Sequence, residues 1–187
     1  MSKNIVYVMG PSGSGKDSLM KWVMLHKNDA LCLRWAQRLV TRDNRSIEMQ
    51  EGTDRFVSED EFDALLAQDM LAMYWIAHEF SYGIEFTQLL PTTEGELVLI
   101  NGSRAYYPQA KSLFPELTAI HVTASPAILE QRLLARAREP VEAISKRLQR
   151  AELFKPQEND ALLEIQNHFE LEQSGLVILE YLNKLKI

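Results

Sequence analysis

Short apolar runs alternate with amphipathic stretches along this chain. The first run, Ile5-Val6-Tyr7-Val8-Met9, is apolar at every position, the pattern of a strand buried on both faces. A glycine-rich turn follows, then a helical pattern through about residue 25. Leu31, Leu33, Trp35, Gln37 and Leu39 alternate with other residues and predict a second strand over 31–39. Ser58-Glu59-Asp60-Glu61 has the form of a capping box ahead of Phe62, Leu65 and Leu66, and predicts a helix start. Strands are predicted over 71–77, 97–100 and 117–122. Ser125-Pro126 reads as a helix cap followed by proline at the first helical position, and that helix runs toward Arg132, Arg136 and Arg138. A further helix over about 140–154, a short strand near Phe169 and a helix over about 176–185 complete the pattern.

Strands that alternate with helices argue for an α/β fold with a mostly parallel sheet flanked by helices. The length of 187 residues suits one domain with small inserts. The stretch from Thr41 to about Gly95 is long for a crossover and carries its own helix and strands. It reads as an inserted lobe over about 41–95, leaving a core of 1–40 and 96–187, with a candidate lid over about 135–150.

Charge narrows the partners. The net charge of −6 offers no general electrostatic footprint for nucleic acid or an anionic membrane. Any basicity that serves phosphate must therefore be local. Cys32 is the single cysteine, so no intramolecular disulfide can form; it reads as a small core residue in a reducing compartment. No stretch approaches the ~18 apolar residues of a membrane span, and the expected location is the cytoplasm.

The turn after the first run carries the chemistry. Gly10-Pro11-Ser12-Gly13-Ser14-Gly15-Lys16 fits G-x-x-x-x-G-K between a strand and a helix, the setting in which that motif forms a P-loop. Its glycines let backbone N–H groups turn inward around phosphate oxygens. The helix start adds unpaired N–H groups and partial positive charge. Lys16 can follow the transferring phosphoryl group. The alternative is a glycine-rich turn that holds no nucleotide. Asp17 occupies the position where Ser or Thr usually supplies a hydroxyl to Mg²⁺, and Ser18 follows it. One reading gives Asp17 the metal; the other makes it a surface carboxylate and gives Ser18 the hydroxyl role. The expected ligands are ATP and Mg²⁺, bound by residues 10–18.

The P-loop, Val40-Thr41-Arg42, Gly52-Thr53-Asp54-Arg55-Phe56-Val57-Ser58 and Tyr82-Gly83 together resemble guanylate kinases. The resemblance covers nearly the whole chain and implies a P-loop core, an acceptor-binding lobe and a lid. The base-reading residues of that family are replaced: Ile76 stands at its Glu position and Asn101 at or near its Asp position. Ile76 cannot accept hydrogen bonds from guanine, and a site built on such bonds loses specificity steeply without them. The Lys16-Asp17 pair, Thr41-Arg42-Asp43, Trp75-Ile76-Ala77-His78, Asn101-Gly102-Ser103-Arg104-Ala105, and Gln131-Arg132-Leu133 with Arg136 and Arg138 resemble the ribose 1,5-bisphosphate phosphokinase family. That resemblance implies ATP-dependent phosphorylation of ribose 1,5-bisphosphate to 5-phosphoribosyl 1-diphosphate in bacterial phosphonate breakdown. Glu172-Gln173-Ser174-Gly175 aligns with the late Asn-Asp-Gly-like stretch of these kinases.

Roles follow from position and resemblance. Arg42, where the lobe begins, is assigned to an acceptor phosphate, with Arg55 a second candidate; the plain alternative is a surface ion pair. Arg104 follows the strand over 97–100, at the edge where open α/β sheets bind ligands, and is assigned to phosphate or acceptor. Asn101 and Tyr82 are assigned to the acceptor, Asn101 alternatively being a turn residue beside Gly102. Arg136 and Arg147 are the candidate catalytic lid arginines, or else members of solvated helix faces. His78 is a sugar contact or a structural histidine. His26, His121 and His168 lack metal-ligand spacing and read as structural, and Trp35 and Trp75 read as core. The competing functions are a nucleoside monophosphate kinase with altered base preference, and an inactive guanylate-kinase-like binding module.

Overall fold

In the computed structural model the apolar run Ile5–Met9 forms strand β1, buried at every position. It lies at the centre of a five-stranded sheet. That sheet has the order β2-β7-β1-β8-β9, where β2 is Leu33–Trp35, β7 Leu97–Asn101, β8 Thr118–Thr123 and β9 Leu162–Gln166. All its neighbours pair in parallel. The structure describes residues 3–41, 54–77, 79–135, 162–168 and 170–185.

Alternating side chains of the central strands feed two cores. Val6, Val8, Leu97, Leu99, Ile120 and Val122 face one way. They meet Leu19, Met20 and Val23 of helix α1 (Lys16–His26) and Ile178, Leu179 and Leu182 of helix α6 (Leu171–Lys184). Ile5, Tyr7, Met9, Val98, Ile100 and Ala119 face the other way. There they pack on Tyr107 and Ala110 of helix α4 (Tyr107–Leu113), and on Met73, Trp75 and Ile84 from the second sheet.

The second sheet has the order β4-β3-β6-β5, with β3 Arg38–Val40, β4 Asp54–Phe56, β5 Leu71–Ala77 and β6 Phe80–Glu85. Strand β3 runs parallel to β4 and antiparallel to β6. Helix α2 (Glu59–Ala67) closes this lobe, with Phe62 buried beside Leu39, Val57 and Leu71. The helix starts where expected, with the Ser58 half of the box formed: its hydroxyl accepts from the Glu61 N–H at 3.1 Å, a cap worth about 1 kcal/mol. Short helix α3 (Phe86–Leu89) leads back toward β7, and helix α5 (Pro126–Ala135) follows β8.

Several expectations change. Residues 31–39 are two strands, not one. The Ala36 N–H still donates to the Leu99 carbonyl in the first sheet, but Arg38 already pairs with Asp54 in the second. The second sheet therefore takes in β3, a few residues before 41. The last strand lies at Leu162–Gln166 rather than near Phe169, and the last helix starts at Leu171, which places 172–175 inside it. Gly175 belongs in that helix because a Cβ there would meet the Trp22 ring at 2.1 Å. Cys32 is exposed, not in the core. The expected helix over 140–154 and nearly all of the candidate lid lie outside the described residues.

Candidate active site

Strand β1 sits where the sheet order turns, with β7 on one side and β8 on the other. Loops leaving the carboxyl ends of these strands converge there. Residues 10–18 leave β1, Asn101 to Ala105 leave β7, and the lobe residues Arg38, Trp75, Ile76, Ala77 and Tyr82 face them. Together they line a cleft of about 710 Å³.

The P-loop enters α1 through Gly15, whose φ of 79° places it in the left-handed region that glycine adopts without strain. No side chain caps the helix, so its first N–H groups point toward the cleft, as an anion site requires. The loop is braced from behind. Asn167, after β9, donates from Nδ2 to the Ser14 carbonyl at 2.8 Å, and Arg132 of α5 donates to the same carbonyl at 3.2 Å.

Lys16, at the helix start, is almost enclosed. Its Nζ lies 2.8 Å from Asp17 Oδ1 and also donates to Asn101 Oδ1. Asn101 Nδ2 in turn donates to Asp17 Oδ1 at 3.0 Å. Burial lowers the Lys16 pKa from its ordinary value, and the Asp17 charge opposes that shift. The turn that brings Asn101 here is fixed from below: the Tyr7 hydroxyl donates to the Ser103 carbonyl at 2.8 Å. A Cβ on Gly102 would stand 2.1 Å from the Tyr7 ring, so the close approach requires glycine. Arg104 leaves the same turn, and burial lowers its pKa from the usual arginine value.

The wall of the cleft formed by the second sheet is aromatic and cationic. Trp75 stacks on Tyr82 with ring centroids 5.7 Å apart and on Tyr106 at 5.4 Å. The Arg38 guanidinium lies 4.8 Å from the Tyr82 ring centre, within cation–π range. Ile76 is 78% exposed and presents only hydrocarbon to the cleft.

A P-loop and a facing wall of side chains thus share one cleft, and comparison with known proteins specifies the family. A protein of Thiobacillus denitrificans named ribose 1,5-bisphosphate phosphokinase PhnN is 40% identical over 179 residues, covering 96% of this chain and 92% of that protein. One of the same name from Azotobacter vinelandii is 37% identical over 185 residues, covering 98% of both. The chain belongs to the ribose 1,5-bisphosphate phosphokinase family. A Janthinobacterium protein of that name is 39% identical over 99% of this chain, which spans only 40% of that longer protein. No family model matches the chain. The crystal structure of a guanylate kinase from Anaplasma phagocytophilum superposes with a TM-score of 0.64 over 98% of this chain and 86% of that one, at 14% identity. That likeness is one of fold.

As a kinase of this phosphokinase family, the chain uses ATP. Of the residues singled out in the sequence, 10–18, Tyr82, Asn101 and Arg104 line one cleft. Arg55 does not line it: its guanidinium is 3.3 Å from Glu61 and 3.4 Å from Glu85, pairs that hold it within the lobe. Arg42, His78, Arg136, Arg138 and Arg147 lie outside the described residues. Trp75 is buried, as expected of core, yet also lines the cleft. His26 stacks on Trp22. His121 is buried 3.8 Å from Glu164.

Two residues of this phosphokinase site escaped the sequence reading. Arg38 was hidden by the assumption of one strand over 31–39; the signal was Gln37, a polar residue at an alternating apolar position. Asn167 was hidden by the misplaced last strand; the signal was an Asn directly after an apolar strand, at the ligand-binding edge of the sheet. The stretch after the last strand is Asn167-His168, not residues 172–175.

Proposed function

We propose that this chain transfers the γ-phosphoryl group of ATP to the 1-phosphate of ribose 1,5-bisphosphate, giving 5-phosphoribosyl 1-diphosphate and ADP. One observation carries the reading. The cleft joins a P-loop to an acceptor wall that offers guanidinium and aromatic surface, with exposed hydrocarbon at Ile76 where a base reader would need an acceptor atom. The names of the close relatives point to the same reaction.

An oxygen of the acceptor 1-phosphate forms the new bond to the γ-phosphorus as the bond from that phosphorus to the β,γ-bridging oxygen breaks, and ADP leaves with those electrons. The nucleophile is already an anion, so no general base is needed. The protein's task is positioning and neutralisation of charge. The N–H groups of Gly13, Gly15 and Lys16 and the start of α1 cradle the donor phosphates, while the Ser14 N–H closes the loop on the Pro11 carbonyl. Lys16 follows the transferring group, and Asp17 with Asn101 holds it aimed into the cleft before the nucleotide enters. Arg104 neutralises charge on the acceptor side. Tyr82 and Asn101 border the acceptor, and Arg136 and Arg147, outside the described residues, are carried over from the resemblance as the candidate catalytic arginines.

The donor set suits Mg²⁺. This ion needs only one or two protein carboxylates when phosphate oxygens and water complete its octahedron. Asp17, half-exposed at the cleft, and Ser18 would supply oxygen ligands. The chemistry such an ion would supply is neutralisation of phosphate charge.

Product analysis by mass spectrometry tests the assignment. Protein incubated with ATP, Mg²⁺ and ribose 1,5-bisphosphate is expected to form 5-phosphoribosyl 1-diphosphate and ADP in equal amounts. ADP release without that product, or none from folded protein, refutes it.

A further inference from the structure

Arg38 is a tightly held cation on the wall of the cleft formed by the second sheet. Its Nε donates to Asp54 Oδ1 at 3.0 Å and its Nη2 to Asp54 Oδ2 at 2.9 Å. This two-point pairing is set by strand register, since Arg38 on β3 lies directly opposite Asp54 on β4. A third N–H, on Nη1, donates to the Asn101 carbonyl at 3.3 Å, so the side chain reaches from the lobe to the end of β7. Its face rests on Tyr82, itself stacked on Trp75. Both charged side chains are mostly buried, at 16% and 22% exposure.

This arrangement has a chemical consequence. Three of the five guanidinium N–H groups are engaged, which leaves one on Nη1 and one on Nη2 for a ligand among the described residues. Adjacent N–H groups on one planar fork match two oxygens of a phosphate. Asn101 fixes where such a phosphate sits. Its carbonyl takes Arg38 while its side chain takes Lys16, so the two cations stand on either side of one residue. Arg38 also contributes to lowering the Lys16 pKa, as a like charge close by does. A phosphate held by Arg38 is therefore next to the lysine that follows the transferring group.

We propose that Arg38, aligned by Asp54, binds the reacting phosphate of the sugar bisphosphate and so determines acceptor specificity. The inference rests on the reaction proposed above and adds the residue that selects its acceptor. Asp54 is a positioning residue: it sets the plane and reach of the guanidinium.

The test compares Arg38→Met, Arg38→Lys and Asp54→Asn with the unaltered protein. Removing one charge-assisted, two-point phosphate contact is worth about a tenfold to hundredfold loss. Arg38→Met is expected to raise the acceptor KM by that factor and leave the KM for ATP within about twofold. Arg38→Lys, which keeps the charge and loses the fork, is expected to recover only part of the loss. Asp54→Asn, which keeps the cation and loosens it, is expected to lie between Arg38→Lys and wild type. A strut that merely joined the two sheets would show equal losses in Arg38→Met and Asp54→Asn, falling on both substrates, and that pattern overturns the role. Titration calorimetry with ribose 1-phosphate, which carries the reacting phosphate, in the presence of ADP separates the two claims. Weaker binding by Arg38→Met supports the phosphate contact even if ribose 1,5-bisphosphate is not turned over. Equal binding by both proteins, or binding by neither, overturns it. Failure of the unaltered protein to turn over ribose 1,5-bisphosphate counts against the reaction instead.

Discussion

The two sheets build their halves of the cleft by different means. In the parallel sheet, β1 and β7 are buried at every residue and deliver their chain ends to one edge. The donor half is made there largely of backbone: glycine turns, helix N–H groups and one lysine. In the lobe, β3, β4 and β6 are only partly buried. The acceptor half is made of side chains: Arg38 paired to Asp54, Tyr82 stacked on Trp75, and Ile76 exposed. Backbone cradles hold any phosphate, whereas side chains decide which molecule brings it. The difference teaches that the donor half defines the reaction class and the acceptor half defines the substrate.

The sharpest way to break the contrast is at Lys16. Lys16→Met is expected to lower kcat/KM by about 10³-fold, the scale of losing a preorganised charge at the transferring group. Stability should move the other way. The Lys16 pKa is lowered by burial, so the unfolded chain binds that proton more tightly than the folded one. The cost is present in full below the folded-state pKa and is relieved as pH rises from there toward the ordinary lysine value of 10.5. The thermal midpoint of Lys16→Met without nucleotide, read by calorimetry, is therefore expected to equal or exceed wild type. A marked fall would show that Lys16 serves the fold.

Ile76 sharpens the acceptor side. Ile76→Glu places a carboxylate in the cleft, where repulsion from a bisphosphate of roughly 1 kcal/mol raises its KM about fivefold. The same change supplies an acceptor for a base, so turnover of GMP should rise relative to the sugar. Steady-state kinetics with both acceptors reads the two effects, and no change in either would place Ile76 outside the acceptor path.

The smallest effect lies beneath the cleft. His121 is buried, and this holds its pKa below 6.5, with Glu164 opposing the shift and Arg104 reinforcing it. The unfolded chain takes up the proton near 6.5 and the folded chain only at lower pH. Stability from this residue is thus present above 6.5 and falls as pH drops through that value. His121→Gln should flatten the decline in thermal midpoint between pH 7 and 5. An unchanged slope would assign the decline to other groups.

How much was legible in the sequence follows the same division. The β1 run, the P-loop and the Ser58 cap are local patterns, and each forms where expected. The lobe and its sheet were foreseen in outline, but not the start of β3. Alternation at residues 31–39 continues through the point where the chain leaves one sheet for the other, so period alone could not reveal the break. The Arg38–Asp54 pair depends on a register between strands sixteen residues apart, and Asn167 meets the P-loop across 153 residues. No local spacing encodes such contacts. Gly175 misled for a related reason: its value lies in the Trp22 ring packed against it, not in backbone propensity.

The most direct test of the account is the ratio of kcat/KM for ribose 1,5-bisphosphate to that for GMP, measured by coupled ADP release with ATP and Mg²⁺. Ile76, hydrocarbon at the position where guanylate kinases carry a base-reading carboxylate, predicts a ratio of about 10³ or more in favour of the sugar bisphosphate. Turnover of GMP at comparable or better efficiency would contradict the account, because the acceptor wall would then be reading a nucleotide.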